Sequence, residues 1–195
     1  TSAYLGGIRP RGTPYGKDKK GTASGIWPVF KGHAQDMIDV AQGSTRRGAW
    51  AGYLEIDHGD FDEIYDHIYN DPDGMNVGWI ITDAFLDRLR SGDSDAIRRY
   101  QRCLKMKMVV GRGYFWFVDK VNRKLPEPFK RAGMKNYASN LCVEVLLPAD
   151  NEHQFTCVLS SMLVHRFDEW KDTDAVYWAT IFLDCVAEEF IQRAK

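Results

Sequence analysis

Ala49-Trp50-Ala51-Gly52-Tyr53-Leu54-Glu55-Ile56 reads as a buried strand, and the fold follows from what flanks it. Downstream, Asp57 or Asp60 is placed to cap a helix with Phe61, Ile64, Tyr65 and Ile68 on one face. The turn-forming run Asn70-Asp71-Pro72-Asp73-Gly74 ends that helix, and Val77-Gly78-Trp79-Ile80-Ile81 makes a second strand. Next come a helix led by Asp83 with Phe85, Leu86 and Leu89, and a longer helix over 96–110 with Ile97, Tyr100, Leu104 and Met108. Gly111-Arg112-Gly113 breaks it before the aromatic strand Tyr114-Phe115-Trp116-Phe117-Val118-Asp119. Upstream, Val29, Ala34, Met37, Ile38 and Ala41 mark a helix from Pro28 to a C-cap at Gly43, followed by a basic turn through Arg46 and Arg47. Strand and helix alternate, which predicts an α/β fold with a largely parallel sheet. A parallel sheet needs both faces covered and leaves open edges, so three or four strands are expected to complete themselves against other polypeptide.

Composition narrows the function classes. The 195 residues are 44% apolar and 13% aromatic, enough for one core, and 26 basic against 27 acidic residues leave a net charge of −1. That balance argues against nucleic-acid or anionic-membrane binding, and no apolar run approaches the roughly 20 residues of a membrane span. The four cysteines include no C-x-x-C pair, so a cytosolic, reduced protein is expected, whose cysteine chemistry would be redox or catalytic. His153 and His165 lie near Cys157, but their spacing matches no standard zinc pattern. Cys103 and Cys185 read as core packing.

Two segments fall outside the repeat. Residues 1–25 are rich in Gly and Pro and carry Arg9, Arg11, Lys17, Lys19 and Lys20. They fit a flexible basic arm, or a loop whose backbone N–H groups and cations contact phosphate. After a basic connector over 119–136 comes Tyr137-Ala138-Ser139-Asn140-Leu141-Cys142-Val143-Glu144-Val145-Leu146-Leu147-Pro148. If it is extended, Asn140, Cys142 and Glu144 share a face, each roughly 7 Å from the next. Phe155-Thr156-Cys157-Val158-Leu159-Ser160-Ser161 reads as a second strand, and a helix over 173–194 closes the chain.

Asn140-Leu141-Cys142-Val143-Glu144 resembles the tip of the active-site hairpin of the ribonucleotide reductase catalytic subunit, Asn-Leu-Cys-x-Glu. Other motifs, in order, extend the resemblance over nearly the whole chain. Gly7-Ile8-Arg9-Pro10-Arg11-Gly12-Thr13-Pro14 is similar to the entry of the family's effector loop, and Gly25-Ile26-Trp27-Pro28-Val29-Phe30-Lys31 to its exit. Gln42-Gly43-Ser44-Thr45-Arg46-Arg47-Gly48-Ala49, Leu54-Glu55-Ile56-Asp57-His58 and Met75-Asn76-Val77-Gly78 resemble later stretches of the family.

The resemblance implies part of a ten-stranded α/β barrel, incomplete on its own: an effector-loop-like segment over 1–27, strand–helix repeats over 28–136, an active-site hairpin over 137–165 and a closing helix over 166–195. It implies that Cys142 becomes the thiyl that removes the ribose 3′-hydrogen, that Glu144 takes the 3′-hydroxyl proton, and that Ser139 and Asn140 bind substrate. Cys157 would be one of the reducing pair, whose usual partner lies upstream of the effector loop. Arg9, Arg11 and Lys17 would contact effector phosphates. No cofactor would be held here; the radical would come from a metal-containing small subunit, or from adenosylcobalamin. Implied partners are the rest of the catalytic subunit, the small subunit, thioredoxin or glutaredoxin, ribonucleotide substrate and nucleoside triphosphate effectors, in the cytoplasm (a host's, if the source is viral). A non-catalytic nucleotide-binding or interaction module derived from the same fold is the alternative.

Overall fold

The computed structural model describes residues 1–40, 48–73, 75–150 and 152–194. The Gly43 helix end, most of the basic turn at 42–47, and Gly74 and Asn151 of two predicted turns lie outside the described residues. The chain divides into two compact units, Thr1–His153 and Gln154–Lys195.

The first unit runs β1 (Ser2–Tyr4), β2 (Pro14–Tyr15), β3 (Gly21–Thr22), α1 (Trp27–Asp39), β4 (Trp50–Glu55), α2 (Phe61–Asn70), β5 (Met75–Ile81), α3 (Asp83–Arg90), α4 (Ser94–Val109), β6 (Tyr114–Phe117), α5 (Val118–Lys124) and α6 (Glu127–Arg131). Strands β1, β4, β5 and β6 form one sheet in that order, each pair parallel, with Tyr4 opposite Tyr53, Tyr53 opposite Gly78 and Gly78 opposite Tyr114. The expected parallel sheet is present. The unexpected parts are short. Residues 1–25 hold strand β1 and a two-stranded antiparallel hairpin, β2–β3, and the connector over 119–136 holds two short helices. Three- and two-residue strands carry too little side-chain periodicity to be read locally; backbone pairing to β4 makes β1 a strand.

Side chains on β4 and β5 alternate between two cores. Trp50, Leu54, Val77, Trp79 and Ile81 face helices α1, α2 and α4 and pack with Phe30, Phe61, Ile64, Phe85 and Met106. Ala51, Tyr53, Ile80 and Trp116 face the other way and pack with Val118, Val121, Ala138, Leu141 and Val143. One face of the sheet is thus covered by α1, α2 and α4 and the other by α5 and residues 138–143, which is why β4 and β5 read as continuous apolar runs. Cys103 is buried among the helix-side residues, where burial pushes its thiol up, as expected of a packing cysteine.

Helix starts show where polar side chains are committed. Asp93 caps α4 by accepting from the Ala96 amide at 2.9 Å, and the Thr82 hydroxyl, rather than Asp83, caps α3. Asp93 also receives Arg88 Nε at 3.0 Å, while Arg88 Nη1 reaches Asp57 at 2.8 Å. Arg88 first, and the Ala96 amide second, hold the Asp93 carboxyl down from its ordinary 3.8 to about 2. A carboxyl lowered on folding contributes stability above its unfolded value and loses it as pH falls through the folded value. We expect an acid-labile contribution that disappears between pH 3.8 and about 2. Asp93→Asn should flatten the fall of thermal midpoint across that window; parallel curves for both proteins would refute the assignment.

The second unit holds a 3-10 turn (Val164–Arg166), α7 (Phe167–Trp170) and α8 (Ala175–Ala194). The closing helix is as expected, but the strand predicted around Cys157 is absent, since 152–163 carries no regular element among its described residues. On α8, Tyr177, Trp178, Phe182 and Phe190 are exposed, and so is Cys185, contrary to its reading as core packing.

Candidate active site

The segment carrying Asn140, Cys142 and Glu144 is not a strand. Residues 141–143 form a turn and a bend, and 135–150 contain no strand. The reason is local. The Asn140 Oδ1 accepts from the backbone N–H groups of Glu144 and Val145 at 3.2 and 3.3 Å, and the Val143 amide donates to the Asn140 carbonyl at 3.2 Å. An Asn side chain that satisfies backbone donors four and five residues on competes directly with a sheet ladder. Val143 turns the chain at φ 68°, a left-handed conformation rare for a β-branched residue and persistent only where its surroundings hold it.

This turn brings Asn140 and Glu144 together by a different route from strand alternation. The Asn140 Nδ2 donates to Glu144 Oε1 at 2.8 Å, and Cys142 and Glu144 are both exposed. A clasp of side chains closes the loop. Ser139, itself buried, donates through its hydroxyl to the Val145 carbonyl at 2.8 Å, and Asn136 Nδ2 donates to the Leu147 carbonyl at 3.0 Å. Three ties bind it to the sheet. Ser2 Oγ donates to the Ser139 carbonyl at 2.8 Å, Tyr53 Oη to the Asn140 carbonyl at 2.8 Å, and Trp116 Nε1 to Asn136 Oδ1 at 3.0 Å. Burial first of all pushes the Tyr53 phenol up; Ser139 pulls it down, and Tyr114, Glu144 and Cys142 add to the rise. An amide, a thiol and a carboxylate therefore stand on one loop over the sheet face opposite α1, α2 and α4. Such a group can orient hydroxyls, exchange a hydrogen atom and accept a proton.

Sequence reasoning missed Asn136 and Tyr53. Neither carries a local signal, because the bond from Tyr53 spans 87 positions. Cys157 is exposed in the second unit.

The effector-like segment is hung by its two ends. Asp60, buried, accepts from the Arg11 amide through Oδ1 and from the Ile26 amide through Oδ2, each at 2.8 Å. This explains why Asp60 occupies the start of α2 without capping it. His58 accepts from the Asp60 amide at Nδ1 and donates from Nε2 to the Ile8 carbonyl at 2.8 Å. At Gly25, φ is +81° and a Cβ would lie 2.7 Å from Asp60 Oδ2, so no other residue fits there. Arg11 forms a two-pronged pair with Glu63 at 2.6 and 3.0 Å, whereas Arg9 and Lys17 are exposed and make no ion pair among the described residues. Between the tied ends the β2–β3 hairpin projects Lys17, Lys19 and Lys20 at its tip.

Among the described residues no group of three or more His, Cys, Asp or Glu is placed to hold a metal ion, and no helix is long and apolar enough to cross a membrane.

The fold is thus a four-stranded parallel α/β sheet with α1, α2 and α4 on one face and, with α5, a loop carrying a thiol and a carboxylate on the other. Residues 1–97 and 93–192 match the family model "Ribonucleotide reductase, barrel domain". The chain belongs to that family. It is 32% identical over 182 residues to the putative ribonucleoside-diphosphate reductase large subunit of Frog virus 3, covering 82% of this chain and 32% of that protein. With the ribonucleoside-diphosphate reductase large subunit of Invertebrate iridescent virus 3 it shares 33% identity over 100 residues, 51% of this chain and 16% of that protein. The class Id ribonucleotide reductase alpha subunit of Actinobacillus ureae superposes with a TM-score of 0.79 at 38% identity, over 100% of this chain and 36% of that one. The chain thus spans about a third or less of the length of these two curated relatives.

Proposed function

We propose that this chain is the central segment of a ribonucleotide reductase catalytic subunit, reducing ribonucleotides to 2′-deoxyribonucleotides when the rest of the barrel is in place. The observation that supports this best is the Asn140–Glu144 turn, with Cys142 between, standing on the sheet face opposite α1, α2 and α4. Cys142 loses a hydrogen atom to a radical initiator outside this segment, a metal-containing small subunit or, alternatively, adenosylcobalamin. The thiyl takes the ribose 3′-hydrogen atom and Glu144 takes the 3′-hydroxyl proton. The 2′-hydroxyl leaves as water, and two thiols become one disulfide as they supply the two electrons and two hydrogens. Glu144 then returns its proton to the 3′-oxygen and Cys142 returns the 3′-hydrogen atom, which leaves a thiyl that takes a hydrogen atom back from the initiator and so restores both the thiol and the radical outside this segment. Ser139 and Asn140 position the substrate, and Cys157 is one thiol of the reducing pair, reset by thioredoxin or glutaredoxin through thiol–disulfide exchange.

Nucleoside triphosphate effectors bind at the 6–25 segment. Because Arg11 is committed to Glu63, Arg9 and Lys17 are the cations best placed to meet phosphate. The exposed apolar side chains of α8 support completion by further polypeptide, since a helix apolar on most of its circumference is one that working assemblies bury. Co-purification from the native source, followed by a ribonucleotide-reduction assay with dithiol and effector, tests the reading. A stable complex that converts ribonucleotide is the expected result; a chain that purifies alone and binds no nucleotide would reject it.

A further inference from the structure

We propose that Tyr53 is a positioning residue for the Cys142 loop. Its buried hydroxyl donates to the Asn140 carbonyl, and Gly78 leaves the room its ring needs, so strand β4 decides where Cys142 and Glu144 stand over the sheet. The inference rests on the catalytic reading of Cys142 and Glu144 given above.

The loop's internal bonds, from Asn140 to Glu144 and from Ser139 to Val145, determine its shape but not its place in the molecule. Place comes from ties to the sheet, and the Tyr53 tie lands on the backbone of Asn140 itself. Tyr53 lies in the middle of β4 with no exposed surface, in the same core as Leu141 and Val143. It is therefore a rigid support reaching from a central strand to the turn. Its phenol, pushed up mainly by burial, stays protonated and so remains a donor at every pH where a reductase would work.

Gly78 is Tyr53's partner in register on β5. A Cβ at position 78 would sit 2.2 Å from two ring carbons of Tyr53, so any side chain there must displace the ring. Gly78 belongs to the Met75-Asn76-Val77-Gly78 motif, and this contact accounts for its glycine. Displacement of the ring would carry the hydroxyl away from the loop. A catalytic pair displaced by an ångström loses much of its rate while substrate affinity barely moves.

A tyrosine that merely fills space tolerates phenylalanine, so Tyr53→Phe in the full chain is the discriminating variant. We expect amide exchange at residues 143–145 to quicken about tenfold, with protection in β4 and β5 unchanged. In the assembled reductase kcat should fall about tenfold with KM within about twofold, the signature of a group lost from transition-state geometry rather than from binding. Gly78→Ala, which keeps the hydroxyl but moves the ring, should give the same loop signature. Wild-type exchange in the loop of Tyr53→Phe would overturn the assignment, and so would a fall in protection spread evenly over the sheet. The exchange readout needs no turnover: an assembly without reductase activity would reject the proposed function, while the loop measurement would still decide the role of Tyr53.

Discussion

Cys142→Ser should leave the assembled protein intact and lower ribonucleotide reduction by at least about four orders of magnitude, the scale seen when an essential reacting group is removed. The argument is chemical. A thiol gives up a hydrogen atom readily enough to exchange it with a ribose carbon, whereas the O–H bond of serine is too strong to do so. Glu144, Asn140 and the turn they form would all persist. Because Cys142 is exposed, its replacement should change stability by no more than about 0.5 kcal/mol. Deoxyribonucleotide formation measured beside co-elution of the complex separates loss of chemistry from loss of assembly. Retained turnover in a properly assembled variant would remove Cys142 from the reaction.

The second large effect is on stability. Asp60→Ala strips the acceptor from two backbone amides at once, Arg11 and Ile26, which are tied at 2.8 Å each. An unsatisfied buried donor costs about 1–3 kcal/mol; the Ile26 amide is buried and the Arg11 amide partly so, which suggests about 2–4 kcal/mol in total. The loop between them should loosen before the sheet does. Asp60→Asn, whose amide keeps one acceptor oxygen, should lose about half as much. Denaturant midpoints give the total, and amide exchange at Arg11 and Ile26 locates it. A midpoint within error of wild type would show that water replaces the carboxylate without penalty. In the assembled enzyme, the same variant should weaken effector binding, because both ends of the effector segment hang from that one carboxylate.

Much of the architecture was legible without coordinates. The apolar runs at 49–56 and 77–81 and the helical spacing in α2, α3, α4 and α8 are local patterns, and each appears where it was read. Polar commitments were less legible. Asp60 stood where a helix cap was expected, but its carboxylate went to Arg11 and Ile26, 49 and 34 positions away. The run 137–147 has the composition of a strand and folds as a turn, because Asn140 satisfies the following amides with its own side chain. Asn140 and Glu144 do meet, but through a turn rather than through the alternation of a strand.

By itself the sequence determined the alternation of strand and helix, the parallel sheet, the family, and the short run on which the Asn140 amide, the Cys142 thiol and the Glu144 acid all lie. These follow from side-chain types within reach of one another along the chain, where hydrophobic period and short motifs act. Tertiary structure alone decided that the Cys142 loop lies on the sheet face opposite α1, α2 and α4, that Tyr53 and Ser2 hold it from 87 and 137 positions away, and that Arg11 turns to Glu63. Those choices depend on which buried donors and acceptors meet once the sheet has formed, and that is a property of the packed chain.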